Sequence, residues 1–155
     1  MSSLSGSVSR SVKRANKRPE SVLVVVYTAA GEILMLRRSH PRDFWQSVTG
    51  SLEWGESSVQ AARRELYEET GIQAGVALLD LACNESFPIL PAWRSRYGPS
   101  VHANREHWFS VMLPFRRQPR LHPGEHAEYR WVPYTQALQL ATSWTNRKAI
   151  RYIFS

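Results

Sequence analysis

Glu65, Glu68 and Glu69 fall close together in the stretch GSLEWGESSVQAARRELYEETGI, residues 50–72. On a helix, residues three or four apart carry Cβ atoms about 5–6 Å apart. The three carboxylates would therefore face one small volume, where like charges repel. Two readings compete. An ordinary solvated acidic face, partly relieved by Arg63 and Arg64, is what most Glu-rich helices present. The other reading is that a hard divalent cation supplies the missing positive charge. Mg²⁺ takes oxygen ligands at about 2.0–2.1 Å and retains water, which suits a few carboxylates plus substrate phosphates. Carboxylate-held metal ions can neutralise charge on nonbridging oxygens, position a water and stabilise a leaving group.

The full spacing separates these readings. Gly50, five residues, Glu56, seven residues and then Arg64-Glu65-Leu66-Tyr67-Glu68-Glu69-Thr70-Gly71-Ile72 fill every defined position of G-x5-E-x7-R-E-U-x-E-E-x-G-U, where U is aliphatic. On these residues the chain resembles the Nudix hydrolases. The resemblance implies an α+β fold, an α/β/α sandwich with a mixed β-sheet, in which the signature forms a loop-helix-loop catalytic motif. It implies hydrolysis of a diphosphate linked to another moiety, with Mg²⁺ as cofactor and Mn²⁺ as a substitute. It also implies Glu65 and Glu69 as metal ligands, Glu68 assisting them and the Gly50 carbonyl as a further ligand. Glu68 is the first candidate for general base and Glu65 the second. Arg64 is grouped with these catalytic candidates, its expected task being an ion pair with Glu56 that braces the loop, while Gly71 ends the helix. Gly50 and Gly55 have P-loop spacing, but Glu56 and Ser57 stand where a P-loop needs Lys and Ser or Thr.

Similarity continues outside the signature, in KRPESVLVVVY, LMLRR, DFWQSVTGSLEWGE, RYGPSV, EHWF, EHAEYRWV and SWTNRKAI. These segments, covering Lys17 to the end, resemble the bacterial branch of the family that acts on dihydroneopterin triphosphate or dATP. The resemblance implies Glu125 as a third carboxylate ligand donated from a loop. It places Lys17, Arg38, Thr49, Ser143 and the stretch Phe87, Pro88, Ile89 and Leu90 near the substrate, with His126 near its phosphates. The NESFPILPAW region matches only loosely. The expected activity is Mg²⁺-dependent conversion of 7,8-dihydroneopterin 3′-triphosphate to its monophosphate and pyrophosphate, an early step of folate synthesis. A broader (deoxy)nucleoside triphosphate pyrophosphohydrolase, acting on dATP for example, is the alternative enzyme. A noncatalytic Nudix-fold nucleic-acid-binding module is the alternative of another class. His102, His107, His122 and His126 form no H-x-x-x-H pattern and are not expected to bind metal.

The elements that must position these residues can be read along the chain. With 155 residues, one domain and one buried core are expected. Cys83 is the single cysteine, so no intrachain disulfide and no thiolate-rich metal site can form. A cytoplasmic, non-membrane protein is expected, monomeric or weakly self-associating, with a small-molecule triphosphate as partner and no nucleic acid. The formal charge of +7 is concentrated at the start. Five basic and no acidic residues lie in 1–18, which leaves 15 basic against 13 acidic residues in the rest. Residues 1–16 read as a basic, Ser-rich, flexible extension and 17–155 as the hydrolase domain.

SVLVVVY (21–27) and ILMLRR (33–38) predict a hairpin, and FWQSVTG (44–50) one further extended segment. A helix is predicted over 58–70, capped by Ser57 or Ser58, with Glu56 near its positive end. On it Val59, Ala62, Leu66 and Thr70 would form a packing stripe beside the glutamate arc. Later strands are predicted at 75–83, 106–113 and 128–133, and helices at 134–141 and 145–154. Phe44, Trp45, Trp108 and Trp144 read as core residues.

Overall fold

In the computed structural model, which describes residues 16–155, the β-branched run forms β1 (Glu20–Thr28). Val22, Val24 and Val26 pack into one core and Leu23 and Val25 into another. A strand covered on both faces needs this continuous apolar run. The hairpin forms as expected, β2 (Glu32–Arg38) lying antiparallel to β1. β6 (Ala103–Leu113) runs parallel to β1 along its whole length. β5 (Leu78–Pro88) pairs antiparallel with β6, and β7 (His126–Pro133) pairs antiparallel with β2. Together they make a mixed seven-stranded sheet.

Residues 44–50 do not form the single extended segment expected. They divide into β3 (Trp45–Gln46), paired with β2, and β4 (Val48–Ser51), paired with β1. Since β6 fills one edge of β1 and β7 one edge of β2, this segment is wedged between β1 and β2 where they diverge. Ser47 marks the change of partner and is held from behind. Its amide donates to Asn146 Oδ1 (2.8 Å), and Asn146 Nδ2 donates to its hydroxyl (3.0 Å).

α1 (Ser58–Thr70) covers one face, where Ala61, Ala62 and Leu66 meet Val22, Val24 and Phe109. α2 (Tyr134–Leu140) and α3 (Trp144–Phe154) cover the other through Ala137, Ala149 and Ile150 against Leu23, Val25 and Trp108. This is the α/β/α sandwich. Each fully buried aliphatic side chain in these layers contributes roughly 1.5–3 kcal/mol.

Several boundaries differ from the sequence reading. Residues 75–77 form a 3-10 turn, so β5 begins at Leu78 and continues to Pro88. β6 and β7 begin earlier than expected, at Ala103 and His126. A strand extends as far as its neighbour offers backbone partners, whatever its side chains. The packing stripe of α1 is also turned. Val59 is 37% exposed, whereas Ala61 and Glu69 are buried, because the helix leans its glutamate side toward β4. The proposed extension at 1–16 lies outside the described residues, apart from Asn16, whose carbonyl accepts from Trp54 Nε1 (2.8 Å). Among the described residues no helix is long and apolar enough to cross a membrane.

Candidate active site

The signature helix is fixed at both ends by its own sequence. Ser57 caps it, accepting from the Gln60 amide, while the Gln60 side chain accepts from the Ser57 amide. Gly71 closes it with φ 75°, its amide donating to the Tyr67 carbonyl, a left-handed conformation that favours glycine.

The preceding loop is clamped to α1 by Arg64. Its Nε and Nη2 donate to the two oxygens of Glu56 (2.8 and 2.9 Å), and Nη2 also donates to the Ser51 carbonyl (3.0 Å). Nη1 donates to Glu65 (2.7 Å) and Glu68 (3.3 Å). All five N–H donors of the guanidinium are thereby engaged, so Arg64 has none left for substrate. The ion pair holds Glu56 below the usual carboxylate range and pushes Arg64 upward. Arg18 adds a second clamp from the start of the domain, donating to the carbonyls of Glu56 (2.8 Å) and Glu53 (3.1 Å).

Glu65 and Glu69 meet beneath β4. Glu69 is 1% exposed, the Glu65 side chain 12% and the Glu68 side chain 51%. The first two lie against each other, and the Thr49 backbone supports Glu69. Burial is the main cause that raises both pKa values. For Glu69 the adjoining Glu65 and then Glu125 add to it. Gly50 allows this approach, because a Cβ there would overlap the Glu65 carboxylate. The opposite wall is His126, 3% exposed, with Nε2 3.0 Å from Gln46 Nε2 and 3.7 Å from Glu69 Oε1. Burial and then Arg38 lower its pKa to about 4, so at neutral pH the ring is uncharged and offers Glu69 no salt bridge. Glu69 Oε1 is left buried with no hydrogen-bond partner.

A buried carboxylate oxygen without a donor, facing a second carboxylate, is an arrangement that a divalent cation satisfies. The structure brings together Glu65, Glu69 and the Gly50 backbone, with the exposed Glu125 close enough to act on Glu69. Glu68 is turned toward Arg64 and water. Among the described residues no three His, Cys, Asp or Glu side chains form a ready-made cage. Oxygens from the main chain, solvent or substrate phosphate would have to complete the shell, as they commonly do for Mg²⁺.

Cationic groups border this cluster. Lys17 has its pKa lowered by desolvation and then by Arg96 and Arg38, and feels Glu65 as well. Its amide donates to the Arg96 carbonyl (2.7 Å). Phe87 and Pro88 end β5, Ile89 is buried and Leu90 exposed, and the chain then enters the 3-10 segment Pro91–Arg96. Ser143 lies at the N-terminus of α3, which packs on the opposite face of the sheet from α1. Its hydroxyl accepts from the Asn146 amide (3.2 Å) and sits 2.8 Å from Thr145 Oγ1. Arg18, Gln46 and Arg96 were not anticipated from sequence. Each acts through a neighbour that only the tertiary fold supplies, so no local pattern marks them.

Comparison with known proteins agrees with this geometry. The NUDIX domain matches residues 17–153. Dihydroneopterin triphosphate diphosphatase of Escherichia coli is 44% identical over 138 residues, 86% of this chain and 91% of that protein. The Haemophilus influenzae protein of the same name is 40% identical over 146 residues, 90% of each. The solved structure of the E. coli dihydroneopterin triphosphate pyrophosphohydrolase superposes with a TM-score of 0.83 at 42% identity, covering 91% of this chain and 99% of that one.

Proposed function

The chain belongs to the NUDIX domain family, and from that membership we propose that it hydrolyses 7,8-dihydroneopterin 3′-triphosphate to the monophosphate and pyrophosphate. The enzyme is a Nudix hydrolase, a class that depends on divalent metal ions. We assign the ion as Mg²⁺, replaceable by Mn²⁺. The observation that carries the reading is Glu69, a buried carboxylate whose Oε1 has no hydrogen-bond partner, set against Glu65 and bordered by Lys17, Arg38 and Arg96. Extensive identity to the E. coli and H. influenzae diphosphatases supports the choice of substrate. The hydrolase domain is taken as 17–155, with 1–16 as an extension, and a cytoplasmic setting fits the free Cys83.

Each side chain then has a task. Glu65, Glu69 and Glu125 would hold the cation with the Gly50 carbonyl, and when bound the ion neutralises charge on the polyphosphate oxygens. Lys17 and Arg38 bind phosphate oxygens directly, as point charge and as planar fork. His126, neutral and tied to Gln46, shapes the floor without adding charge. Glu68, half exposed and held only weakly by Arg64, is the general base. One of its carboxylate oxygens takes a proton from the attacking water as the bond to pyrophosphate breaks. Arg64 and Glu56 keep the loop in register so that Gly50 stays against Glu65.

The test is kcat/KM for dihydroneopterin triphosphate against dATP with Mg²⁺, following pyrophosphate release, because specificity is the ratio of those values. A preference for the pterin of about tenfold or more is expected. A preference for dATP would replace this substrate with a nucleotide.

A further inference from the structure

The sheet face opposite α1 carries a second buried polar group that hydrolysis does not use. Asn104 and Glu106 are alternate residues of β6 and share the face of Trp108, at 3% and 6% exposure. Glu106 accepts from Trp108 Nε1 (3.1 Å) and bonds Thr145 on α3. Asn104 Nδ2 donates to Ser21 Oγ (2.7 Å), and Asn104 Oδ1 has no partner. Turning the amide over would only exchange which of its two polar atoms is unpaired. Interiors rarely keep a carboxyl and an unsatisfied amide two residues apart on one strand, because each costs desolvation free energy.

The surroundings say what the pair faces. Phe87 lies directly across the ladder from Asn104, and Ile89 donates its amide to His102 (2.8 Å) just before β6. Ser143 Oγ is 2.8 Å from Thr145 Oγ1, so the N-terminus of α3 adjoins the partner of Glu106. The stretch 87–90 and Ser143, read from sequence as substrate contacts, therefore border Asn104 and Glu106 from two sides. Lys17, on the phosphate side, precedes Ser21 by four residues, a reach of at most about 14 Å. One substrate can span both places.

We propose that Glu106 and Asn104 are specificity-determining residues that read the fused heterocycle of the substrate. The Glu106 carboxylate accepts two parallel hydrogen bonds, from the exocyclic amino group and the adjacent ring N–H of a 2-amino-4-oxo edge. The unpaired atom of the Asn104 amide meets a further polar atom of the ring. Adenine presents a ring acceptor where the pterin presents a ring donor, so its lone pair would oppose a carboxylate oxygen. That mismatch disfavours it. This assignment rests on the substrate proposed above.

The test uses the full chain carrying Glu106→Gln, with folding checked by circular dichroism. Gln offers one donor and one acceptor, which suits the adenine edge. The ratio of kcat/KM for dihydroneopterin triphosphate to that for dATP should fall about tenfold or more. Binding of phosphate-free dihydroneopterin, followed by its fluorescence, should weaken by a similar factor. A ratio within twofold of wild type would overturn the inference. Should Glu106→Gln not fold, Asn104→Ala is put through the same two measurements, with weaker ring binding expected and unchanged ring binding decisive against the proposal. Failure of the substrate reading shows instead in the wild-type protein, as a preference for dATP.

Discussion

Replacing Glu69 by Gln should stabilise the metal-free protein while abolishing its activity. Glu69 is 1% exposed and its Oε1 lacks any hydrogen-bond partner, a defect that costs about 1–3 kcal/mol. A Gln amide in its place can donate to the Glu65 carboxylate and removes the opposing charge. The pH dependence has a definite sign. Burial raises the Glu69 pKa, so the folded metal-free protein holds a proton that the unfolded chain releases. Stability therefore falls as pH rises from about 4.5, the ordinary glutamate value, toward the folded value, by at most about 1.4 kcal/mol per pH unit from this group. The variant lacks that slope. At neutral pH a gain of about 1–3 kcal/mol corresponds to a Tm rise of roughly 2–12 °C for a domain of this size. Saturation with Mg²⁺ at about 100 times Kd should add about 2.7 kcal/mol to the wild type and almost nothing to the variant. Turnover should fall by at least about 10²-fold. Scanning calorimetry with EDTA and with MgCl₂ reads each quantity. A less stable metal-free variant, or one with the full Mg²⁺-induced rise, would refute the reasoning.

Gly50→Ala pushes a Cβ into the Glu65 carboxylate and should cost about 1–3 kcal/mol of stability together with most of the turnover. Wild-type kcat in a folded Gly50→Ala protein would contradict the close approach. Glu68→Gln should lower kcat by about 10²–10⁴-fold, while its Tm and its Mg²⁺-induced Tm rise match the wild type. Loss of that rise would move Glu68 from base to metal ligand. Glu56→Gln removes the Arg64 clamp and should destabilise by about 1–3 kcal/mol at neutral pH. The ion pair depresses the Glu56 pKa below 4.5, so this contribution is complete above about pH 4.5 and disappears as pH falls through the folded value. Denaturant titrations at several pH values should show the two proteins converging in acid.

What the sequence made legible is local. Ser57 and Gly71 announce the ends of α1, and the valines of β1 announce a strand buried on both faces. The glutamate spacing, read with Gly50 and Arg64, points to the candidate site, because the helix brings Glu65 and Glu69 to one side, while Glu68 turns toward Arg64 and water. What escaped depends on partners far away in the chain. The division of 44–50 into β3 and β4 follows from the divergence of β1 and β2, and the lock on Ser47 comes from Asn146, 99 residues later. The turning of α1 that exposes Val59 and buries Glu69 is set by its packing against β4. Period alone cannot fix the azimuth of a helix on a sheet. Asn104 and Glu106 alternate with apolar residues in a strand and look like any half-buried edge until α3 and β5 enclose them.

The most direct measurement is product analysis by mass spectrometry after dihydroneopterin triphosphate is turned over in ¹⁸O-labelled water, with Mg²⁺ present and again after chelation. We predict dihydroneopterin monophosphate and pyrophosphate as products, one solvent oxygen in one of them, and no turnover once the metal is removed. Release of inorganic phosphate in place of pyrophosphate, or turnover that EDTA leaves untouched, would contradict the assignment of the buried glutamates to a divalent cation and a polyphosphate chain.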